Sequence, residues 1–345
     1  MKTEDFLREV VALPGVTGNE SAAAAYIAKA FEPYCDDVKI DCMNNVIGHI
    51  AGSGPKVILC AHQDEIGLMV SKIEKDGSLR MRNVGGVDPR ILPGMRVTVW
   101  GKEKLMGVIG AKPPHLLTAE DRAKNYQRED LYVDLGMTPE HVNEKVQVGD
   151  FITLEYGFTQ LLNNRYATKS VDDRGCVAIL LRTMEALQKV EHTADLYFVA
   201  TVQEEIGAYG AMTAGFGVDP EIGIVLDVCH AATPGAPALS THELGSVVSG
   251  KGPFINRYLR KKLDEIAAEI NTEVQTGVST RGTGTDADTL TIVRGGVPTV
   301  LLELPLKYMH TSVELFDMRA VTECARLLTA YCSAIDDSWR DELWT

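Results

Sequence analysis

The hydrophobic positions of this chain form two patterns, and each predicts a different element. Short apolar runs bounded by polar residues predict strands that are buried on both faces, as in a parallel sheet. These runs lie at 57–61, 196–202, 222–226 and 299–304. Longer stretches with helical periodicity lie at 21–31, 175–187, 258–270 and 320–333. Because strands and helices alternate, the pattern predicts an α/β fold with a doubly wound, mostly parallel sheet.

The pattern changes in the middle of the chain, where short alternating runs are separated by turn residues and few helices are predicted. The sequence Lys-Asp-Gly-Ser at 75–78 predicts the turn of a hairpin between strands at 69–73 and 79–81. Further strands are predicted at 97–100, 106–109 and 151–154. We therefore expect a discontinuous α/β domain formed by 1–67 and 163–345, interrupted by a β-rich domain at 68–162.

Acidic and histidine residues follow several of the predicted buried strands. In an open α/β sheet, side chains just beyond the carboxyl ends of strands meet at one edge. Taken singly, each acidic residue could be a helix cap or a solvated turn residue. Their joint placement instead predicts one metal centre. The candidate ligands are His62, Asp172, Glu205, Asp227 and His310.

This set of two imidazoles and three carboxylates is one ligand too many for a single tetrahedral zinc ion. It suits two divalent ions that share a bridging carboxylate. Imidazole and carboxylate ligands accept either zinc or cobalt, so the choice of metal stays open.

Two further acidic residues have positions that suggest other roles. Asp64 lies two residues after His62, so in an extended segment both side chains point to the same side. This spacing fits a carboxylate that orients the imidazole, although a turn-forming Asp is the alternative. Glu204 and Glu205 are neighbours, and both face the centre only if the strand has ended before them.

Several motifs together resemble the tetrahedral (TET) aminopeptidases, dinuclear exopeptidases that depend on cobalt or zinc. The motifs occur in the family order and span nearly the whole chain. One difference is visible: Lys307 stands where the family commonly has Arg, which retains charge but loses bidentate geometry. The matching segments are AHQDEIG at 61–67, DDRG at 172–175, VQEEIG at 202–207, GTDA at 284–287 and YMHT at 308–311.

The resemblance implies a role for each candidate residue. Asp172 would bridge two ions, with His62 and Asp227 completing one site and Glu205 and His310 the other. Glu204 would be the general base beside the attacking water, which makes Asp64 and Glu204 the catalytic residues outside the ligand set. The family also implies a cis peptide bond between Asp172 and Asp173.

The function implied is hydrolysis of the N-terminal residue of peptides by water that two metal ions activate. The same resemblance assigns 68–162 to dimerisation and predicts a homododecamer built from dimers. The alternative is an N-acyl amino-acid deacylase or a related amidohydrolase with the same centre. Some relatives are labelled endoglucanases, but glycoside hydrolysis needs carboxyl groups that are free of metal ions. A metal-stabilised scaffold without turnover is the third possibility, and a spare Glu204 beside Glu205 argues against it.

The charge and the amino-acid composition argue against two classes of partner, nucleic acids and membranes. A net charge of -14 argues against nucleic-acid binding, and the densest basic cluster, 260–262, is predicted to be a solvated helix end. No apolar stretch is long enough to predict a membrane span. The N-terminus is predicted to begin an amphipathic helix capped by Thr3 rather than a signal peptide. Seven cysteines without a Cys-x-x-Cys pair fit a reducing compartment, so we expect a cytoplasmic protein.

Overall fold

A computed structural model describes residues 1–155 and 157–343 of the chain. Their strands form an 11-stranded mixed sheet and a separate closed barrel. The α-helices are α1 (Thr3–Val10), α2 (Ser21–Phe31), α3 (Ala119–Arg122), α4 (Pro139–Lys145), α5 (Val171–Leu187), α6 (Tyr209–Val218), α7 (Arg257–Glu269), α8 (Asp286–Leu290) and α9 (Met318–Ala334). The strands are β1 (Asp37–Ile40), β2 (Val46–Ile50), β3 (Lys56–His62), β4 (Gly67–Ile73), β5 (Leu79–Val84), β6 (Arg96–Trp100), β7 (Lys104–Ala111), β8 (Leu131–Asp134), β9 (Phe151–Leu154), β10 (Thr159–Gln160), β11 (Arg165–Thr168), β12 (Asp195–Thr201), β13 (Ile222–His230), β14 (Val247–Lys251), β15 (Val274–Val278), β16 (Thr299–Lys307) and β17 (Glu314–Asp317).

Four parallel strands form the centre of the sheet, in the order β12, β3, β13 and β16. The outer strands β1, β2, β17, β11 and β10 continue the sheet with antiparallel pairing. Thr201 pairs with His62, so β12 and β3 end at the same level. The α/β prediction is therefore confirmed, and the parallel core carries the strand ends that the sequence singled out.

Helices cover both faces of this sheet, which explains why its central strands are apolar throughout. In β3, Val57, Leu59 and Ala61 pack in the core beneath α1, α2, α5, α7 and α9, whereas Ile58 and Cys60 pack in the core beneath α6 and α8. Successive side chains of a strand point to opposite faces, so a strand buried on both faces needs an unbroken apolar run.

Some predicted element boundaries were wrong. Asp227 was expected to follow its strand, but β13 continues to His230 because its parallel pairing with β16 continues to that residue. Thr3 was expected to cap α1, but the N-cap is Lys2. The Thr3 hydroxyl instead accepts a hydrogen bond of 2.7 Å from Arg182 of α5.

The basic cluster at the start of α7 also differs from its prediction. Arg260 is only 3% exposed, whereas a solvated helix end was expected. Its guanidinium forms an ion pair with Asp264 and donates a hydrogen bond of 3.3 Å to the Thr276 hydroxyl on β15. The methylene groups of Arg are readily covered when the head group has partners, and β15 provides one.

The barrel closes in the strand order β4, β5, β8, β7, β6 and β9. The predicted hairpin is present, because β4 and β5 pair in antiparallel fashion across a turn with Gly77 at φ 88°. The barrel has its own core, which includes Leu68, Val70 and Leu79. Closure pairs the strands around the ring, so the barrel is a structural unit separate from the sheet.

No helix in the described part of the chain is both long and apolar enough to cross a membrane.

Candidate metal centre

The carboxyl ends of the central strands bring the predicted ligands together. His62 ends β3, Asp227 lies within β13, and His310 follows β16. Asp172 comes from the first turn of α5, and Glu205 follows β12. A cavity of about 630 Å³ opens at this edge of the sheet, and its lining includes Asp172, Glu204, Glu205, Asp227 and His310.

Asp172 lies at the centre of the group, between the two imidazoles. Its Oδ1 is 3.0 Å from Nε2 of His62, and its Oδ2 is 3.2 Å from Nε2 of His310. Burial alone would raise the pKa of Asp172, but hydrogen bonds with His310 and His62 outweigh burial and hold that pKa below its usual range. The peptide bond between Asp172 and Asp173 is cis, as predicted. One carboxylate therefore presents a different oxygen to each imidazole.

Glu204 and Glu205 both face the cavity, as expected if the strand ends before them. The strand β12 ends at Thr201, and a short 3-10 helix spans Glu204–Ile206 after Gln203 in the left-handed region at φ 58°. Glu205 Oε1 is 3.5 Å from Nε2 of His310, and Glu204 Oε2 is 3.9 Å from Nε2 of His62. Burial raises the pKa of Glu204 to about 8 and that of Glu205 to about 7.

Asp64 makes more contacts than the sequence suggested. Its carboxylate lies 3.4 Å from Nδ1 of His62, but the backbone carbonyl oxygen of Asp64 is closer to that nitrogen, at 3.1 Å. The same carboxylate accepts hydrogen bonds from the Thr17 hydroxyl at 2.7 Å and from the backbone N–H groups of Glu204 at 3.1 Å and Glu205 at 3.4 Å. Asp64 thus connects the orientation of His62 to the turn that carries Glu204 and Glu205.

Two acidic residues that lie beside the predicted ligands were not predicted from the sequence to belong to the centre. Asp173 accepts a hydrogen bond of 3.1 Å from the backbone N–H of His62, and its other carboxylate oxygen has no hydrogen-bond partner among the described residues. Glu314 accepts hydrogen bonds from the backbone N–H groups of Asp172 at 3.1 Å and His310 at 3.0 Å. Burial raises the pKa of both acids. The only signal for Asp173 was its place next to Asp172, and Glu314 had none.

A buried ion cluster supports the loop after β3. Arg174 is fully buried and donates hydrogen bonds to the backbone carbonyls of Gln63 at 2.9 Å, Val10 at 2.6 Å and Leu13 at 3.1 Å. Glu65, in the same loop, forms an ion pair with Lys169. Because buried polar groups cost free energy when unpaired, these contacts restrict the backbone that carries His62 and Asp64.

The barrel also reaches the centre, through the segment after β5. A Cβ atom at Gly86 would lie only 2.6 Å from Nδ1 of His310. A Cβ atom at Gly85, which has φ 74°, would lie 3.2 Å from Oε2 of Glu205. The two glycines therefore allow the barrel backbone to approach two candidate ligands more closely than any other residue would.

The donor set fits divalent metal ions. Ligand atoms of His62, Asp172 and Glu205 lie within 4.8 Å of one another, and so do those of His62, Asp173 and Asp227. Burial, together with the nearby charges of Asp173 and Glu204, raises the pKa of Asp227 well above its usual range. Carboxylates that are buried this close together need cations to offset the cost of their desolvation. Two histidines are too few to form ion pairs with all of them.

Comparison with known proteins identifies close relatives of this chain. The family model described as M42 glutamyl aminopeptidase matches residues 44–327. A lysyl aminopeptidase from Pyrococcus furiosus is 39% identical over 94% of this chain and 95% of its own length. A TET aminopeptidase from the marine sediment archaeon Thaumarchaeota archaeon SCGC AB-539-E09 has a TM-score of 0.95 at 29% identity, covering 99% of this chain and 98% of that one. The Pyrococcus horikoshii TET1 peptidase, whose structures form a tetrahedron or a large octahedral shell, has a TM-score of 0.86 at 29% identity, covering 97% of this chain and 100% of that one.

The shifted pKa values predict how pH affects the metal-free protein. Glu204 and Glu205 have pKa values raised from 4.5 to about 8 and about 7, so their contribution to stability is complete below about pH 4.5 and is lost as pH rises through the higher values. The hydrogen bond with Asp172 raises the pKa of His310 from 6.5 to about 9, so its contribution is also lost as pH rises. Chelated protein should therefore melt at progressively lower temperature from about pH 5 to about pH 9.

Metal-loaded protein is the control. Its side-chain ligands bind metal in their deprotonated form, so the increase in melting temperature caused by metal should become larger over the same pH range. The measurement is the melting temperature by calorimetry with and without divalent ions. A melting temperature of the chelated protein that rises across the range would contradict the assignment.

Proposed function

Because this chain belongs to the M42 glutamyl aminopeptidase family and is therefore a metal-dependent aminopeptidase, we propose that it removes N-terminal residues of peptides at the centre described above. The observation that carries this proposal is the placement of Asp172 between two imidazoles, with Glu204 on the same cavity wall. A buried carboxylate with acidic neighbours and a raised pKa, such as Glu204, is suited to proton transfer rather than to an ion pair.

We propose that Asp172 bridges two divalent ions, zinc or cobalt. His62 and Asp227 would hold one ion, and Glu205 and His310 the other. When bound, the ions would polarise the scissile carbonyl and activate the attacking water. The distances of 3.0 and 3.2 Å between Asp172 and the two imidazoles support the bridging role.

Glu204 is the proposed general base and acid. Its carboxylate would take a proton from the attacking water and return it to the leaving amine. Asp64 would support this step indirectly, because its carboxylate accepts hydrogen bonds from the backbone of both Glu204 and Glu205 and lies near His62. Glu65 and Arg174 in turn keep the loop of His62 in place.

The substrates are peptides with a free N-terminus, and the family membership does not favour the amidohydrolase alternative. The direct test compares amino-acid anilides with their N-acetylated analogues, using protein reconstituted with zinc or cobalt. We expect metal-dependent hydrolysis of the free amino-acid anilides and none of the acetylated compounds. Faster hydrolysis of the acetylated compounds would instead identify a deacylase.

A second prediction separates the roles of the two neighbouring glutamates. Glu204→Gln should lower kcat by at least about 100-fold, the low end of typical general acid-base contributions, while keeping the parent metal content. Glu205→Gln is the matched variant and should lose metal, because it removes a proposed ligand. Metal content by elemental analysis and kcat are both measured. Loss of metal in Glu204→Gln with full occupancy in Glu205→Gln would reverse the assignment.

We further propose that 68–162 is a dimerisation domain inserted in the catalytic domain formed by 1–67 and 163–345. This range contains the barrel strands from Leu68 to Leu154 and also β10, which belongs to the sheet. Met106 and Val108 on β7 are 50% and 49% exposed, which leaves apolar side chains on the barrel surface. The TET1 peptidase of Pyrococcus horikoshii can assemble into a tetrahedron or a large octahedral shell. A homododecamer built from dimers is therefore the assembly we propose.

We also propose a cytoplasmic location, supported by seven cysteines that are all free.

Light scattering on freshly purified, metal-loaded protein tests the assembly. We expect a mass near twelve times that of the 37.6 kDa chain. Met106→Lys is the corresponding variant, because a charge on the exposed face of β7 should weaken dimer formation without touching the metal centre. A fully active parent monomer that digests folded proteins would contradict a closed particle.

A further inference from the structure

Glu303 is a charged residue in the middle of a buried central strand, and the function described so far does not use it. It lies on β16, where the flanking Leu302 and Leu304 both pack in the core beneath α5 and α9. The side chain of Glu303 therefore points to the other face of the sheet, where it lines the same cavity as the metal centre. An acidic residue that interrupts an apolar strand is a local conflict of the kind expected at functional sites.

The carboxylate of Glu303 has no partner within the part of the chain that the structure describes. No hydrogen bond or ion pair reaches it, and burial raises its pKa to about 7 without any offsetting contact. Asp288, which also lines the cavity, is different, because it accepts hydrogen bonds from the backbone N–H groups of Thr283 at 2.7 Å and Gly284 at 2.9 Å. Glu303 thus offers the cavity a carboxylate that no protein group satisfies.

The Glu303 carboxylate fits beside β15 because the neighbouring residue on that strand has no side chain. A Cβ atom at Gly277, on β15, would lie 2.9 Å from Oε2 of Glu303. His242 lines the same part of the cavity, with Nε2 at 3.6 Å from that position. Glu303, Gly277 and His242 line one cavity, so a substrate group in that cavity can approach the carboxylate.

The position of Glu303 distinguishes between the two cationic groups of a basic substrate. Glu303 pairs in register with Asp227 on the neighbouring strand β13, so it lies one strand further from His62, a spacing of about 4.8 Å. The α-amine of a bound substrate must stay beside the scissile carbonyl, close to the metal ligands. A lysine ammonium extends away from it on a flexible four-carbon stem, and an arginine guanidinium extends further.

We propose that Glu303 selects peptides whose N-terminal residue is lysine or arginine, by accepting a charge-assisted hydrogen bond from the cationic side chain. This inference rests on the proposed aminopeptidase function and names the substrate class of the same cavity. The cation replaces the water lost by the buried carboxylate, and a neutral or acidic side chain at this position leaves Glu303 unpaired or repels it. Selectivity of this type comes mainly from the free energy lost when a substrate without a cationic side chain leaves the buried carboxylate unpaired.

The test compares kcat/KM for lysyl, arginyl, norleucyl and glutamyl amidomethylcoumarins in the metal-loaded parent and in Glu303→Gln. Norleucine matches the lysine stem without its charge. We expect the parent to prefer the lysyl over the norleucyl substrate, and Glu303→Gln to lower kcat/KM for the lysyl substrate by about 10- to 100-fold, the range of a charge-assisted hydrogen bond. For the norleucyl substrate we expect a change within about threefold, since uncharged contacts remain.

Glu269→Gln is the matched control, because it removes one negative charge from an exposed position on α7 and should leave the lysyl preference unchanged. Calorimetric titration with free L-lysine and L-norleucine gives a second readout that needs no turnover. We expect the lysine affinity to fall in Glu303→Gln and the norleucine affinity to stay the same.

Equal losses for the lysyl and norleucyl substrates in Glu303→Gln would overturn the proposal, because they would assign Glu303 to the α-amine or to folding. A parent that hydrolyses the norleucyl or glutamyl substrate as well as the lysyl substrate would also overturn it. If the parent hydrolyses none of the substrates, the aminopeptidase function fails, and the calorimetric comparison still decides whether Glu303 binds the lysine side chain.

Discussion

Burying several carboxylates together costs free energy, and this cost governs how the molecule is organised. Asp172, Asp173, Glu205, Asp227 and Glu314 lie within one region, and burial acts to raise the pKa of each of them; only at Asp172 do hydrogen bonds with the two imidazoles outweigh burial. Two imidazoles do not balance this number of acids. Divalent cations would, so we expect the protein to be most stable with metal ions bound at this centre.

Several contacts elsewhere in the fold position these candidate ligands relative to one another. Parallel pairing of β12 with β3 ends both strands at one level, and the continued pairing of β13 with β16 places Asp227 beside Glu303. Asp64 connects the loop of His62 to the turn of Glu204 and Glu205. The barrel contributes Gly86 against His310. The centre is therefore assembled from parts that are distant in sequence, and each part is fixed by its own backbone contacts.

The elements of the sheet could be predicted well from the sequence, because a strand buried on both faces requires an unbroken apolar run. Most of the converging residues could also be predicted, since a polar side chain at the carboxyl end of such a run lies at the edge where the strands meet.

Element boundaries were predicted less well: Asp227 lies inside β13, because pairing with β16 extends the strand beyond its apolar run. Asp173, Glu314 and the glycines of the barrel could not be assigned, because their roles depend on tertiary contacts with His62 and His310 that leave no local pattern. The prediction for Arg260 was wrong for the same reason, since its partner Thr276 lies on a later strand.

If the acidic cluster is a centre for two metal ions with Asp172 between them, the ions can be located by anomalous diffraction. The measurement uses crystals of zinc-loaded protein at the zinc absorption edge. We expect two peaks on opposite sides of the Asp172 carboxylate, one beside His62 and Asp227 and the other beside Glu205 and His310. A single peak at full zinc occupancy, or two peaks that do not contact Asp172, would contradict this arrangement.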